Sequence, residues 1–345
     1  MATQEEISIK ASKGKEKYDA VVKRNMSFPK CLAPILQTVI PEYKKYSMED
    51  VLGFIVNESI ANDDAVDDCS ATLHKMDTEM SSDTEKPIRY DLRFKTLNPE
   101  LCDRKMEMNV YFHIDLEVQN NYTPFIYSKK NKKYIPYPII KRGLYYAARE
   151  LSSQLGILTG EDNYASLEKV YSIWICNENI PEELQNTVTL YQIGKKDIIG
   201  ETHDNKSDYD LLTVIIIRRG KVKSDEPIFD YLNAFFSGDI DGICKYINIK
   251  DDSELMKGVR TMQGLGATIE REAKKEGRIE GRIEGKIEGK IEVLISMVKE
   301  GILKPDIAAH QLDMSEEDFL ELMQNYGKDA TNTSNVSVQS KIQND

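Results

Sequence analysis

The sequence predicts an α/β protein, its core mixing strands and helices, followed by a C-terminal helical extension. Three observations carry this. Val110, Phe112, Ile114, Leu116 and Val118 alternate with Asn109, Tyr111, His113, Asp115, Glu117 and Gln119, the two-residue period of a long strand. Segments with helical spacing stand before, between and after the strand-like ones. Finally, EGRI, EGRI, EGKI and EGKI run without a break from Glu276 to Ile291.

The elements follow in order. Residues 1–14 are polar, as a fraying terminus is. From Tyr18 to Glu58 the pattern is helical, with Leu32, Ile35, Leu36 and Val39 before a break at Pro41, and Val51 and Ile55 after it. Ser47 followed by Glu49 and Asp50 reads as an N-cap with an acidic first turn. Residues 62–86 are acidic and Ser/Thr-rich, the composition of a loop or a weakly ordered segment, with room for a strand inside it. Tyr90, Leu92 and Phe94 alternate with Arg89, Asp91 and Arg93 as in a half-buried strand. A helix is expected over 141–158, with Leu144, Ala148, Leu151 and Leu155 on its buried stripe. Val170–Cys176, Thr187–Ile193 and Leu211–Ile217 read as strands, and Ile228–Ser237 and Ile240–Ile247 as short helices.

Composition narrows the function classes. The chain has 345 residues, 40% hydrophobic and 30% charged, enough for about two domains with real cores. No stretch approaches the ~18 apolar residues of a membrane span. The charged N-terminus lacks the apolar run of a secretory signal, and five unpaired cysteines without CxxC spacing fit reduced thiols, so a cytoplasmic location is expected. The net charge of -12 argues against coating nucleic acid by bulk charge. The charge is uneven, however. Glu49 to Glu85 holds 11 acids and one lysine, whereas Asn121 to Arg149 holds seven Lys or Arg and no acid.

Two groups of residues could carry chemistry. Asp91 on one strand and Glu117 on the next could hold Mg²⁺ or Mn²⁺, hard cations that prefer oxygen donors, with the Val118 carbonyl as a third oxygen and Asp115 as a further candidate. These acids would otherwise be the wet face of an antiparallel sheet. Beyond them, Lys129, Lys130, Lys132, Lys133, Lys141, Arg142 and Arg149 are interleaved with tyrosines that include Tyr127, Tyr134, Tyr145 and Tyr146. Cations contact phosphates and aromatic rings stack on bases, although a lysine-rich hairpin before a core helix has the same composition.

The ordered set YDLRF, HIDLEVQ, KRGLYYAARELSSQL and NYASLEKVYSIWICN resembles the PD-(D/E)xK nuclease superfamily, and within it the recombination-promoting nuclease or transposase-like branch. The resemblance spans residues 15–250, and the glycine-containing repeat with a short helical tail is typical of that group. It implies a restriction-endonuclease-like core, with a central mixed β-sheet flanked by helices, and a Mg²⁺- or Mn²⁺-dependent DNA endonuclease, linked to recombination or mobile elements, that leaves 5′-phosphate and 3′-hydroxyl ends. Asp91, Glu117 and Gln119 would be the catalytic set, with Asp91, Glu117 and Val118 on the metal. Lys129, Lys130, Lys132, Lys133, Arg142, Tyr145 and Tyr146 would face the DNA. Gln119 stands where the superfamily has lysine and carries no charge to offer a phosphate, so orienting the attacking water is its expected role. Tyr90 replaces the proline before Asp91. The alternative is a catalytically silent nucleic-acid-binding or regulatory protein that retains the fold. Strand transfer by a transposase uses three acids on a ribonuclease-H-like core, which this order does not resemble.

The C-terminal region divides into a repeat helix over 254–300, a small helical module over 304–326 and a disordered tail over 327–345. Glycine at every fourth position costs about 1 kcal/mol each relative to alanine, yet lets a second helix approach closely. The repeat is therefore expected to make homo-oligomer or partner contacts, or to serve as a solvated spacer. Ser315 to Asp318 fits a capping box. Lys304 to Asn325 has one lysine against six acids, which favours protein contact over DNA reading by a helix-turn-helix.

Overall fold

The computed structural model describes residues 4–62, 79–82, 85–102, 109–157, 164–220 and 224–326. The chain divides into two compact units, Ser12–Ile269 and a smaller one formed by Met1–Ala11 with Glu270–Asp345. The expected tail over 327–345 and most of the expected acidic loop lie outside the described residues.

Helices α1 (Gln4–Met26), α2 (Pro29–Val39) and α3 (Met48–Phe54) come first, so helix begins at Gln4 where fraying was expected. Pro29 opens α2, where a missing N–H costs nothing, and Ser47 caps α3 through a reciprocal capping box with Asp50. Strands β1 (Ala61–Asn62), β2 (Glu79–Ser82), β3 (Glu85–Arg89), β4 (Leu92–Leu97), β5 (Tyr111–Asn121), β6 (Phe125–Ser128) and β7 (Lys133–Pro136) follow. Next come α4 (Ile139–Ile157), β8 (Val170–Glu178), β9 (Thr187–Gln192), α5 (Lys206–Tyr209), β10 (Leu212–Arg218), α6 (Pro227–Ser237) and α7 (Ile240–Ile243). The last of these ends four residues before the expected Ile247.

The six-stranded sheet runs β1-β4-β5-β8-β10-β9. Its centre, β5-β8-β10, is parallel, and β4 and β9 flank it antiparallel. The mixed α/β sheet expected from sequence is what forms. A parallel centre needs helices on both faces, and this explains a correction. The polar face of β5 is not wet: His113, Asp115 and Glu117 are all buried. One face packs Leu92, Phe94, Phe112, Ile114, Leu116 and Val118 against α2 and α6. The other lies under α4, with Tyr146, Ala147, Trp174, Val214 and Ile216 among its apolar members.

The buried stripe of α4 is also shifted from expectation. Leu151 of the expected stripe packs against the core, but Leu144 and Ala148 are exposed, and Ile139, Gly143, Tyr146, Ala147, Glu150 and Gln154 are the buried residues. The sheet beneath is partly polar, so the helix presents polar partners. Glu150 pairs with Arg93 and, at 3.2 Å, with His113. Tyr90 departs from Leu92 and Phe94 as well: the chain bends at Asp91, which turns Tyr90 to the α4 face, where its ring meets Tyr146 at 5.2 Å.

Gly143 sets how closely α4 approaches the sheet. A Cβ there would lie 2.7 Å from Val214 Cγ1 and 3.0 Å from Trp174 Nε1. Gly143→Val is expected to destabilise the protein by about 1–3 kcal/mol through overpacking. Thermal denaturation checks this, and an unchanged Tm would contradict the close approach.

Helices α8 (Ser253–Lys299), α9 (Pro305–Gln311) and α10 (Glu316–Asn325) complete the chain. In the smaller unit, Ile291, Leu294 and Ile295 of α8 pack with Ala308, Ala309 and Phe319. Ser315 caps α10 by accepting from the Asp318 amide. No helix among the described residues is long and apolar enough to cross a membrane.

Candidate active site

The β4–β5 ladder runs from Leu97 opposite Tyr111 to Leu92 opposite Leu116, and there β4 stops. Beyond this point β5 continues to Asn121 with a notch on its β4 side. Asp91, expected on a strand, stands instead at the bend just before β4 and fills the notch with side-chain bonds in place of ladder bonds. Its N–H donates to Glu117 Oε1 at 2.9 Å, and its Oδ2 accepts from the Val118 amide at 2.9 Å. Two carboxylates 26 residues apart are thus held together through each other's backbone. A strand residue that bonds across one edge sends both its N–H and its C=O there, so the Val118 carbonyl shares the Asp91 side.

Two cations close the site. Lys23 of α1 places its Nζ 2.8 Å from Asp91 Oδ1 and 3.4 Å from Asp19 Oδ2. Arg142 of α4 brings Nη2 to 3.9 Å from Glu117 Oε2 and donates from Nη1 to Gln119 Oε1 at 3.4 Å. Its guanidinium is fixed by donation to the Tyr146 hydroxyl at 2.8 Å and by the faces of Tyr146 and Trp174. Gln119 also donates to the Asn121 carbonyl at 3.0 Å.

Burial disfavours the charged form of the acids at this site. Burial raises the pKa of Glu117 well above the usual carboxylate range, and the neighbouring charges of Asp91 and Asp115 add to this. Asp91 is raised as well, chiefly by burial, against the opposing pull of Lys23 and the Val118 amide. Asp115 is wholly buried and raised by desolvation. Its oxygens lack a partner at full hydrogen-bond geometry, although the Ser172 hydroxyl and the Ile173 amide lie near enough to oppose the shift.

Asp91, Glu117 and the Val118 carbonyl are the hard oxygen donors here that could hold a divalent cation. Asp115 does not join them: among the described residues no three His, Cys, Asp or Glu side chains group as a metal cage. It sits two residues, about 6–7 Å, further into the sheet, where β4 still covers the edge.

The remaining expected residues separate into two settings. Lys129, Lys130, Lys132 and Lys133 are all exposed on the β6–β7 hairpin, where Tyr127 and Tyr134 rings meet at 5.3 Å. Tyr145 is exposed on the outer face of α4. Tyr146 is instead buried at 8% exposure and positions Arg142, so its ring is not a stacking surface. Sequence reasoning missed Lys23 and Asp19. Their only trace was a four-residue spacing on a helix, which does not reveal what the helix packs against.

Comparison of the chain with protein-family models, curated proteins and solved structures gives no match.

Proposed function

We propose that the protein is a Mg²⁺- or Mn²⁺-dependent DNA endonuclease with a PD-(D/E)xK-type site. The observation that carries this reading is the reciprocal locking of Asp91 and Glu117, which keeps two like charges together in a buried notch. Buried acids whose pKa values are raised by desolvation and by each other mark a candidate functional site. A divalent ion bound there would lower the pKa of a bound water and offset charge growing on the phosphate. Asp91 and Glu117 would hold it with the Val118 carbonyl. Arg142, oriented by Tyr146 and Trp174, fixes the Gln119 amide beside that position and adds positive charge toward a phosphate. A cytoplasmic location and a link to recombination belong to the same proposal.

The β6–β7 hairpin would contact the DNA backbone. Replacing Lys129, Lys130, Lys132 and Lys133 with Gln is expected to weaken DNA binding and to flatten its salt dependence. The slope of log affinity against log salt should fall by about 0.9 for each phosphate no longer neutralised. Affinities measured across a salt series test this, and an unchanged slope would remove the hairpin from the interface.

One observation favours a silent DNA-binding protein instead: both carboxylates already have cationic neighbours, Lys23 and Arg142. DNA affinity unchanged by EDTA, with no cleavage in any divalent metal, would select that reading. Self-association through α8 is supported by Ile283 and Ile287, 44% and 43% exposed, and by the open space beside Gly281, Gly285 and Gly289.

A further inference from the structure

Arg218 ends β10 on the α4 face and is only 6% exposed. A buried guanidinium normally has a carboxylate partner, because taking a lone charge out of water is costly. Among the described residues Arg218 has none. Its Nη1 donates to Thr189 Oγ1 at 2.8 Å and to Thr187 Oγ1 at 3.4 Å, its carbon centre lies 5.3 Å from the Tyr122 ring centroid, and its Nε has no partner. The same side chain lines a cavity of about 360 Å³ whose wall includes Tyr122, Thr123, Tyr137, Ile140 and Tyr191, and no acid.

We infer that this cavity binds a nucleotide, with a phosphate on Arg218 and the base against the tyrosine faces. A guanidinium donates charge-assisted hydrogen bonds to phosphate, and aromatic rings accept any base by stacking. An inorganic anion needs no aromatic wall, and a neutral aromatic ligand leaves the guanidinium unanswered. The position is also apt. Tyr122 lies three residues beyond Gln119, and Ile140 two residues before Arg142, so the strand end and helix start that build the carboxylate site also border the cavity. A nucleotide in a strand crossing the carboxylates and a free mononucleotide share this chemistry.

The test needs no metal, so its outcome is separate from that of the nuclease reading. In EDTA, binding of thymidine 5′-monophosphate, thymidine, inorganic phosphate and a thymidine hexanucleotide is measured by calorimetry on the full chain. The monophosphate or the hexanucleotide should bind at least tenfold more tightly than thymidine or phosphate. Tighter hexanucleotide binding assigns the site to a strand, and tighter monophosphate binding to a free nucleotide. Arg218→Met should weaken binding at least tenfold without lowering the Tm of the ligand-free protein, since it removes an unpaired buried charge. Tyr191→Ala, at a 38% exposed position, should weaken binding several-fold and guards against a misfolded arginine variant. Equal affinities for all four probes, or wild-type binding by Tyr191→Ala and Arg218→Met, would overturn the inference. A large drop in Tm for Arg218→Met with unchanged binding by Tyr191→Ala would also overturn it, making Arg218 a strut to Thr187 and Thr189.

Discussion

Asp91→Asn and Glu117→Gln are each expected to lower metal-dependent nicking of supercoiled plasmid by about 10²–10³-fold, the scale associated with removing one transition-state-stabilising group. Glu117→Gln should also raise the Tm of the metal-free protein. Function and stability move oppositely because burial and the neighbouring Asp91 and Asp115 disfavour the Glu117 charge by more than the Asp91 amide and Arg142 favour it. The sign of the pH dependence follows. A carboxyl whose folded pKa is raised binds its proton more tightly in the folded state. Its destabilising contribution therefore begins near pH 4, where the unfolded chain titrates, and grows as pH rises toward the folded value. The Tm advantage of Glu117→Gln should be absent at low pH and present at neutral pH. Nicking that survives both substitutions would contradict the assigned roles, and a lower Tm for Glu117→Gln at neutral pH would contradict the electrostatics.

Lys23→Met is expected to tighten Mn²⁺ binding about tenfold, close to 1.4 kcal/mol. Asp91 Oδ2 is taken by the Val118 amide, so Oδ1 is the oxygen open to a ligand, and the Lys23 ammonium lies 2.8 Å from it. A divalent ion must displace or share that contact. Removing the ammonium removes the competitor, while leaving Asp91 less well compensated when no metal is bound, so the metal-free Tm should fall. Lys23→Arg keeps the charge and should bind Mn²⁺ about as the wild type does. Calorimetry decides. Equal or weaker Mn²⁺ binding by Lys23→Met would show that the lysine does not compete.

How much of the fold and site is legible in the sequence depends on whether the signal is local. The alternation through β5 and the apolar runs of β8 and β10 report burial directly, because each residue's side is fixed by the strand period. Asp91 and Glu117 can be read as neighbours because Asp91 immediately precedes β4, which pairs with the strand that carries Glu117. The stripe of α4 cannot, because apolar spacing selects Leu144 and Ala148, whereas the sheet it covers carries His113, Asp115 and Glu117 and calls for Glu150 and Tyr146. Alternation puts Tyr90 on the wrong face because one bend at Asp91 shifts the period, and that bend is the feature that opens the notch. Lys23 and Arg218 are silent for a common reason. Each matters through groups far away in the chain, and neither stands in a pattern of its own.

The central claim, that Asp91 and Glu117 hold a divalent ion, is tested most directly by calorimetric titration of Mn²⁺ into the wild type and into the Asp91→Asn, Glu117→Gln double variant. The account predicts one ion per chain in the wild type and none in the folded double variant. Undiminished binding by the double variant, or no binding by the wild type, would contradict it.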